Sequence, residues 1–373
     1  MRNETEVRQV RQSHRGVSNQ VTALILIATT LLGGVFAYKV LTGWTKTTTM
    51  NAEVQIQRIH ATKLAGRRVL VSAKVKNTGS VRLGHTRVTI GTGKDKITLN
   101  IGTLNPGQAK SATANKKGDL AAGETYTAAV EAKPTSLMKG LVAWYRFDSG
   151  EGSTVHDRSG NGNDGTLYGD PTWVDGWIGD GALKFDGSGD YVAIQNLHYD
   201  TPGEISETTI FSQIRSSSSQ EQIIAAFDRS EYWRLALMDD VNPYVGWDTH
   251  SPSHHHDLGS SSNYADGEPH TVVGWFKSSA SPDKKIFADG KEVAQATAHN
   301  GEGLGSGATR YGFIGVGSEA SSFNGRTGPN CWFKGVIEEV RIYNRALSPR
   351  EIEMLAGGGG VVARTTEVTV SPG

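Results

Sequence analysis

The sequence predicts a mainly β protein that begins with one long α-helix and continues with two β domains. Three observations support this fold class. Glycine is abundant, at 46 of 373 residues, and aromatic residues make up 8%, a balance typical of turn-rich β proteins. One uncharged apolar run lies near the amino terminus. Several later segments alternate apolar and polar residues with a period of two, the pattern of half-buried strands.

The length, the charge balance and the cysteine count limit the number of domains and exclude some classes of partner and site. A chain of this length can form two or three domains, each with its own core. Lysine plus arginine number 38, as do aspartate plus glutamate, so no net field attracts nucleic acid and we expect no nucleic-acid partner. The single cysteine, Cys331, excludes an intramolecular disulfide and a cysteine-clustered zinc site.

The amino-terminal segment has the composition of a membrane span. Four arginines precede Gly16, whereas no charged side chain occurs from Val17 to Tyr38. As an α-helix this run would be about 33 Å long, enough to cross a bilayer. No A-x-A-like cleavage site follows it, which argues against an ordinary secretion signal. The arginines predict that the amino terminus stays in the cytoplasm and that the rest of the chain is exported.

The junction Arg15-Gly16, followed by V-S-N-Q and the apolar run, resembles the class III leader of archaeal type IV pilins. The resemblance implies that a prepilin peptidase cuts between Gly16 and Val17. Residues 1–16 would be a leader, and residues 17–50 a helix that first spans the membrane and then packs against copies of itself in a filament. The assembly residues would be Val21, Leu24, Ile25, Ile27, Leu31, Leu32 and Phe36. Bacterial pilins usually carry glutamate where Val21 stands, which favours the archaeal branch. The alternative is an uncleaved signal anchor.

A small β domain follows the apolar run. The segments AEVQIQRIHA, RRVLVSAKVKNTG, TRVTIGTG, DKITLNIGTL and ETYTAAVEAKP alternate with a period of two, and turn residues separate them. About six strands in so short a stretch predict a small antiparallel sandwich, which is similar to the head of archaeal pilins. The last segment, VVARTTEVTVSPG, alternates in the same way, and we expect it to pair with ETYTAAVEAKP. The alternative is a frayed tail.

This pairing predicts a sandwich of residues 51–136 plus 361–373, with residues 137–360 inserted as a second domain at a hairpin tip. The inserted segments LVAWYRFDSGEGSTVHDRSGNGNDGTL, GALKFDGSGDYVAI, PHTVVGWFK, KKIFADGKEVA and FKGVIEEVRIYNRALSPREIEMLA resemble the concanavalin-like, laminin-G-like lectin/glucanase superfamily. The resemblance implies a jelly roll in which the strand near Trp144 lies beside the one near Val340. Pro269 stands where the family usually has tryptophan, which leaves the packing of that turn open.

The resemblance also implies a structural calcium ion. Family members often hold one between the D-x-S-G-N loop and an acid of the last strand, which here implies Asp157, Asn163 and Glu338. Calcium prefers about six to eight oxygen ligands, and the segment DRSGNGNDG is rich in them. The alternative is an ordinary turn of Asx and glycine residues without a metal.

We expect the inserted domain to bind carbohydrate rather than to cleave it. The E-x-D-x-x-E triplet of laminarinase-type relatives does not occur between Gly140 and Ala356, so we predict no enzymatic activity. The sugar-binding candidates are Trp233, Tyr244 and Trp247, beside Arg234 and Asp248. Aromatic residues of a sandwich are also common core residues. The run SPSHHHD is expected to be a solvated loop, because consecutive histidines cannot all face one metal ion.

Together these features predict a structural subunit of an archaeal type IV pilus-like filament, displayed at the cell surface after a membrane-bound precursor stage. The inserted lectin-like domain would serve adhesion or carbohydrate binding. Expected partners are further copies of the chain, a prepilin peptidase, and a carbohydrate or cell-surface ligand. The first alternative is a membrane-anchored carbohydrate-binding protein that does not polymerise. The second is an extracellular glycosidase.

Overall fold

The structure is a computed structural model that describes residues 52–91, 96–148, 150–178, 181–194, 197, 204–227, 232–239, 241–305, 311–317, 331–357 and 362–373, with only the backbone of 362–364. The chain divides into two compact units. The first is Met1–Lys133 with Val361–Gly373, and the second is Pro134–Gly360. The predicted leader, the Gly16–Val17 junction and the proposed assembly residues lie outside the described residues.

The described residues form 23 strands, one short 3₁₀ helix and one α-helix. Up to the start of the second unit the strands are β1 (Val54–Leu64), β2 (Arg68–Asn77), β3 (Leu83–Ile90), β4 (Ile97–Leu104), β5 (Ala109–Lys117) and β6 (Thr125–Pro134). The 3₁₀ helix (Thr135–Met138) follows, and then come β7 (Leu141–Tyr145), β8 (Thr154–Val155), β9 (Gly165–Tyr168), β10 (Thr172–Val174), β11 (Ala182–Asp186), β12 (Tyr191–Ile194), β13 (Glu207–Arg215), β14 (Gln222–Phe227) and β15 (Trp233–Met238). The remaining elements are β16 (Tyr244–His250), β17 (His255–Gly259), β18 (Pro269–Lys277), β19 (Lys284–Ala288), β20 (Lys291–Ala296), β21 (Gly312–Ile314), β22 (Lys334–Tyr343), α1 (Pro349–Ala356) and β23 (Val362–Ser371).

The first unit is one seven-stranded sheet in the order β4-β3-β6-β23-β1-β2-β5. The two end strands, β4 and β5, also lie close to each other, so the sheet curves around a single core. The alternation of β2 explains its placement, since Val69, Val71, Ala73 and Val75 are buried while the residues that alternate with them are more exposed. The predicted sandwich is therefore one curled sheet, and it is not purely antiparallel because β23 runs parallel to β1.

The carboxy-terminal strand occupies the middle of this sheet. Its pairing with β6 runs antiparallel from Val362 opposite Ala132 to Thr369 opposite Thr125, which confirms the predicted pairing. On its other side Val370 lies opposite Ala61 of β1. Val368 and Val370 are buried, so alternate residues of the strand belong to the core of the first unit.

The second unit is a sandwich of two sheets. The sheet β10-β11-β22-β13-β18-β19-β20, with β7 paired to β22, is called the back sheet, and β17-β16-β15-β14-β21-β12-β9-β8 is called the front sheet. Arg341 of β22 lies opposite Trp144 of β7, which confirms the predicted adjacency of the first and last long strands. A sandwich of two antiparallel sheets is the jelly-roll-like architecture expected for this part of the chain.

The core of the second unit lies between its two sheets. Trp233 and Trp247 of the front sheet pack there with Phe276 of the back sheet, and all three are fully buried. The indole of Trp247 lies against Gly274 of β18, where a Cβ atom would come within 2.3 Å of the ring. Burying each such side chain stabilises the fold by roughly 1.5–3 kcal/mol. The two sheets are therefore held together mainly by large apolar side chains.

The predicted fold class needs one correction, because the long amino-terminal helix is not supported. The part of the chain that the structure describes is nearly all β, and its only α-helix is the eight-residue α1. None of the helices found there is long and apolar enough to span a membrane. An uncharged run fixes the length of an apolar segment, but a segment that is apolar throughout has no helical period that would specify a helix.

Candidate functional site

The two tryptophans predicted to bind sugar are core residues. Trp233 and Trp247 have no exposed surface, and the Trp247 Nε1 donates a hydrogen bond to the Trp275 carbonyl at 3.2 Å. Neither indole ring can stack on a ligand in this structure. Tyr244 is different, because it lies three residues before Trp247 on β16 and therefore points to the opposite side of the front sheet. Its side chain is half-buried.

The outer face of the front sheet, which is turned away from the sandwich core, carries the polar candidates. Directly opposed residues share a face, and strand pairing connects Arg234 to Asp248 and Asp248 to Asp257. We call these three residues the charged row. Pairing also extends the row through Ala226 of β14 to Phe313 of β21. The predicted companions Arg234 and Asp248 are thus brought together, while Trp233 and Trp247 lie on the other face.

The charged row and two neighbouring histidines form one bonded cluster. The Arg234 Nε lies 2.8 Å from Asp248 Oδ2. The His255 Nε2 lies 3.0 Å from Asp248 Oδ1 and 3.2 Å from Asp257 Oδ1. The His250 Nε2 lies 3.5 Å from Asp248 Oδ2, and its ring stacks on that of His255 with the centroids 4.2 Å apart. Asp248 is therefore the centre of the cluster.

Exposure and protonation differ along the charged row. The Asp248 side chain is only 3% exposed, whereas Asp257 is 47% exposed. Burial alone would raise the pKa of Asp248, but hydrogen bonds to His250 and Asp257 and the charge of Arg234 together hold it below its ordinary value. The hydrogen bond to Asp248, together with burial, raises the pKa of Asp257. Asp248 is thus a fixed anion, while Asp257 offers a reachable carboxylate.

Tyr244 is positioned beside this cluster by a glycine. A Cβ atom at Gly259 of β17 would lie 2.6 Å from the Tyr244 ring, so the ring rests on the bare backbone there. Gly246 lies opposite Gly259, and the Met238 side chain packs on its bare backbone as the Tyr244 ring packs on Gly259. The outer face therefore presents a flat aromatic ring over Gly259, and the Gly246–Gly259 pair is followed on the same face by the Asp248–Asp257 pair of the charged row.

A second aromatic group lies on the outer face at the other end of the front sheet. Tyr168 and Tyr191 stack with ring centroids 4.7 Å apart and planes 4° apart, and Trp332 packs against Tyr191. Burial and the neighbouring Tyr168 raise the pKa of Tyr191 to about 12. Sequence reasoning missed this group. All four residues of β12 are buried, so no alternation marked which face each side chain takes.

Two of the three predicted calcium residues, Asp157 and Glu338, accept hydrogen bonds from backbone N–H groups. Asp157 Oδ1 accepts from the backbone N–H groups of Trp144 and Ser159, while Oδ2 accepts from the Ser159 hydroxyl and the Asn163 N–H. These four bonds use the lone pairs of the carboxylate. Glu338 accepts from Trp177 and Ile178 N–H groups. Asp157 therefore does not fit a calcium ligand here, and the calcium ion stays a prediction from sequence.

A second acidic group also holds a turn. The carboxylate oxygens of Asp170, Asp186 and Asp190 lie within 4.8 Å of one another. Asp190 is buried, and its carboxylate accepts from the backbone N–H groups of Asp170 at 2.9 Å and Asp186 at 3.0 Å. Burial raises the pKa of Asp190. These bonds give the group a role in the local fold.

The three consecutive histidines face three different partners. His254 contacts Glu302, His255 contacts the charged row, and His256 lies beside Lys284. The prediction that they cannot share one metal ion agrees with these directions. The prediction of a solvated loop is wrong, because His255–Gly259 form β17 at the end of the front sheet. Alternation along this strand, rather than its composition, separates the three rings.

A buried polar group lies beneath this end of the sheet. The Lys284 Nζ donates to the Trp247 carbonyl at 2.8 Å and to the His256 carbonyl. Burial lowers the pKa of Lys284 to about 7. The fully buried His299 Nε2 lies 2.7 Å from the Thr249 hydroxyl. Lys284 belongs to the back sheet and its acceptors to the front sheet, so the lysine joins the two sheets.

Comparison with known proteins identifies the fold of this unit. Residues 186–353 match the family model described as the Concanavalin A-like lectin/glucanases superfamily, so this stretch is a domain of that kind. No curated protein matches the chain.

Several solved structures are similar to this chain at low sequence identity. The binding domain of Paraclostridial Mosquitocidal Protein 1 is 16% identical, with a TM-score of 0.47, over 59% of this chain and 52% of that one. Domain 4 of AbnA, a GH43 extracellular arabinanase from Geobacillus stearothermophilus in complex with arabinotriose, is 20% identical, with a TM-score of 0.42, over 58% and 98%. A structure of botulinum neurotoxin type C, whose cell entry depends on interaction with two ganglioside molecules, is 14% identical, with a TM-score of 0.42, over 60% and 52%. The chain thus spans about half the length of the first structures it matches.

Proposed function

We propose that the second unit is a carbohydrate-binding domain whose ligand binds on the outer face of the front sheet, beside the charged row. The observation that carries this proposal is the position of Tyr244. Its ring is fixed over Gly259, which lies two residues from Asp257 on the same face of β17. The match of residues 186–353 to a superfamily of lectins and glucanases supports the same function.

The chemistry of the face suits a sugar. A pyranose ring has an apolar face, which packs on an aromatic ring, and hydroxyl groups around its edge, which need hydrogen-bond partners. Asp257 and His255 are about half exposed and can bond to hydroxyl groups, while Arg234 holds the nearly buried Asp248 in place. Hydrogen bonds to such charged groups are stronger than neutral ones.

Binding of the full chain to a panel of polysaccharides and immobilised oligosaccharides tests this proposal. Tyr244→Ala is expected to lower the affinity for the bound sugar about 10-fold or more, equivalent to about 1.4 kcal/mol. Tyr168→Ala, which truncates a 39% exposed aromatic ring at the far end of the same face, is the matched control and should bind as the unchanged chain does. Unaltered binding by Tyr244→Ala, or equal losses in both variants, would contradict the proposed location.

We keep two finer proposals that rest on sequence alone. The first is that the domain binds sugar without cleaving it, because the acid triplet of the laminarinase-type relatives does not occur in its sequence. The second is that the chain is exported after cleavage between Gly16 and Val17 and is displayed outside the cell as part of a filament of its own copies. The amino-terminal residue of the mature protein tests the second proposal, since a chain that keeps Met1 rules it out.

A further inference from the structure

Two imidazoles and a carboxylate converge at the end of the charged row. His250 comes from β16 and His255 from β17, and strand pairing places them directly opposite each other. One ligand atom from each of Asp248, His250 and His255 can be chosen so that all three lie within 4.8 Å of one another. We propose that these three residues form a binding site for a divalent transition-metal ion of the zinc type.

The spacing of the donor atoms fits such an ion. A tetrahedral zinc site with bonds of about 2.0–2.1 Å places its ligand atoms about 3.3–3.4 Å apart. The His255 Nε2 is 3.0 Å from the Asp248 Oδ1 and the His250 Nε2 is 3.5 Å from the Asp248 Oδ2, so each imidazole is close to that separation from one oxygen of the carboxylate. The two imidazole rings are stacked, with only 19° between their planes. For both nitrogens to bind one ion in the plane of its ring, one ring must rotate and increase this angle. His255 is 53% exposed and has room to turn.

The donor types select the class of ion. Imidazole nitrogen suits zinc, copper and nickel, and two imidazoles with one carboxylate are a common three-residue set for such metals. Calcium and magnesium prefer oxygen ligands in larger number, and this cluster does not supply them. Zinc with three protein ligands keeps a fourth position for water. The Asp257 Oδ1 lies 3.2 Å from the His255 Nε2 and so belongs to the immediate surroundings of the cluster.

The surrounding charges favour a divalent cation. Asp248, Asp257 and Glu221 are three carboxylates near the guanidinium of Arg234. The buried Lys284 also interacts with Asp248 and Asp257 and adds at most one positive charge, so the group keeps a net negative charge when its histidines are neutral. Arg234 also fixes the Asp248 carboxylate, and such outer contacts orient metal ligands. The proposed metal site does not depend on sugar binding.

Titration of the full chain, prepared without a histidine tag and stripped of metal, with Zn²⁺ or Co²⁺ alone tests the proposal. We expect saturable binding of one ion per chain and a Co²⁺ visible spectrum characteristic of low coordination number. His255→Gln is expected to weaken binding about 10-fold or more. His254→Gln is the matched control, because the neighbouring ring contacts Glu302 and lies outside the cluster. It should bind the ion as the unchanged chain does.

Three results would overturn the site. These are no saturable binding by the unchanged chain, unaltered affinity in His255→Gln, and the same loss in His254→Gln. Since His255 is half exposed, its substitution leaves the core intact, and an unchanged thermal unfolding midpoint of the metal-free variant checks this. Loss of metal binding in Tyr244→Ala is not expected, so a failure of the sugar proposal and a failure of the metal proposal remain distinguishable.

Discussion

His299 is a fully buried histidine with a strongly altered proton affinity. Its Nε2 lies 2.7 Å from the Thr249 hydroxyl and its Nδ1 lies 3.1 Å from the Ser251 hydroxyl. Burial, with the nearby charge of Lys284, lowers the pKa of His299 from 6.5 to about 4. The ring is therefore neutral in the folded protein at neutral pH.

This altered pKa predicts a loss of stability in mild acid. Between pH 6.5 and 4 the unfolded state binds a proton at His299 that the folded state does not, so the free energy of unfolding falls as the pH falls through this window. Above pH 6.5 the contribution is fully present. Denaturant unfolding of the unchanged chain and of His299→Gln at several pH values should show a shallower acid loss in the variant.

His270 provides a control of opposite sign. Hydrogen bonds to Asp289 and Asp266 raise its pKa despite burial. Its contribution is therefore fully present below pH 6.5 and is lost as the pH rises from 6.5 through the folded-state pKa, so His270→Gln should remove a loss of stability above pH 6.5, on the opposite side of neutrality from the effect of His299→Gln. Equal pH dependence in the two variants would contradict the assignment of these protonation states.

The predicted sugar site shows what a sequence can and cannot place at single residues. Trp233 precedes Arg234, and Trp247 precedes Asp248, so each pair must point to opposite faces of its strand. The predicted set could not have formed one site, and alternation alone would have shown this. Which member of each pair faces the core needed the second sheet, since both strands are mostly buried.

At the level of strands, the contact between β16 and β18 sets the spacing of the sandwich. Trp247 fills the space above Gly274, and a Cβ atom there would lie within 2.3 Å of the indole. Packed cores accommodate such added atoms only by shifting their neighbours. The Trp247 ring has no exposed surface and donates a hydrogen bond to the Trp275 carbonyl, so it has little room to move.

Gly274→Ala is therefore expected to lower the free energy of unfolding by about 1–3 kcal/mol through overpacking. Gly357→Ala is the control, because a Cβ atom at the end of α1 meets its nearest atom at an ordinary 3.5 Å. That variant should stay within about 0.5 kcal/mol of the unchanged chain. Equal free energies of unfolding for the two variants would show that the Trp247 ring can move aside without destabilising the fold, which would contradict the prediction.

Some elements were predictable from local pattern and others were not. Strands β1, β2, β3, β4 and β6 alternate between a buried and a more exposed face, and the sequence shows them plainly. Strand β14 is buried on both faces and shows no period. The helix α1 was not predicted, although Ser348 and Glu351 form a capping box whose S-x-x-E spacing is visible in the sequence.

At the scale of the whole chain, the path leaves the first unit at β6 and returns to it as β23. The returning strand lies between β6 and β1, in the middle of the seven-stranded sheet. The first unit is therefore complete only after the whole second unit has been traversed. The alternation of the last residues predicted this path, but the parallel pairing with β1 depends on strand order, which no local pattern specifies.

Substitution within β23 is expected to unfold the first unit without unfolding the second. Val370 is fully buried, so Val370→Asp places a charge in the core of the first unit and should lower its free energy of unfolding by several kcal/mol. The neighbouring Thr369 is exposed, and Thr369→Asp adds the same charge without that burial. Seven of the eight tryptophans belong to the second unit, and the eighth, Trp44, lies outside the described residues.

Tryptophan fluorescence therefore follows unfolding of the second unit, while far-ultraviolet circular dichroism follows both units. In Val370→Asp the circular dichroism transition should move to lower temperature or split. The fluorescence transition of Val370→Asp should have the same midpoint as that of the control Thr369→Asp. Each unit has its own core, so each is expected to unfold in its own transition. If fluorescence and circular dichroism shift together in Val370→Asp, the two units unfold as one cooperative body and the insertion is energetically coupled to its host sheet.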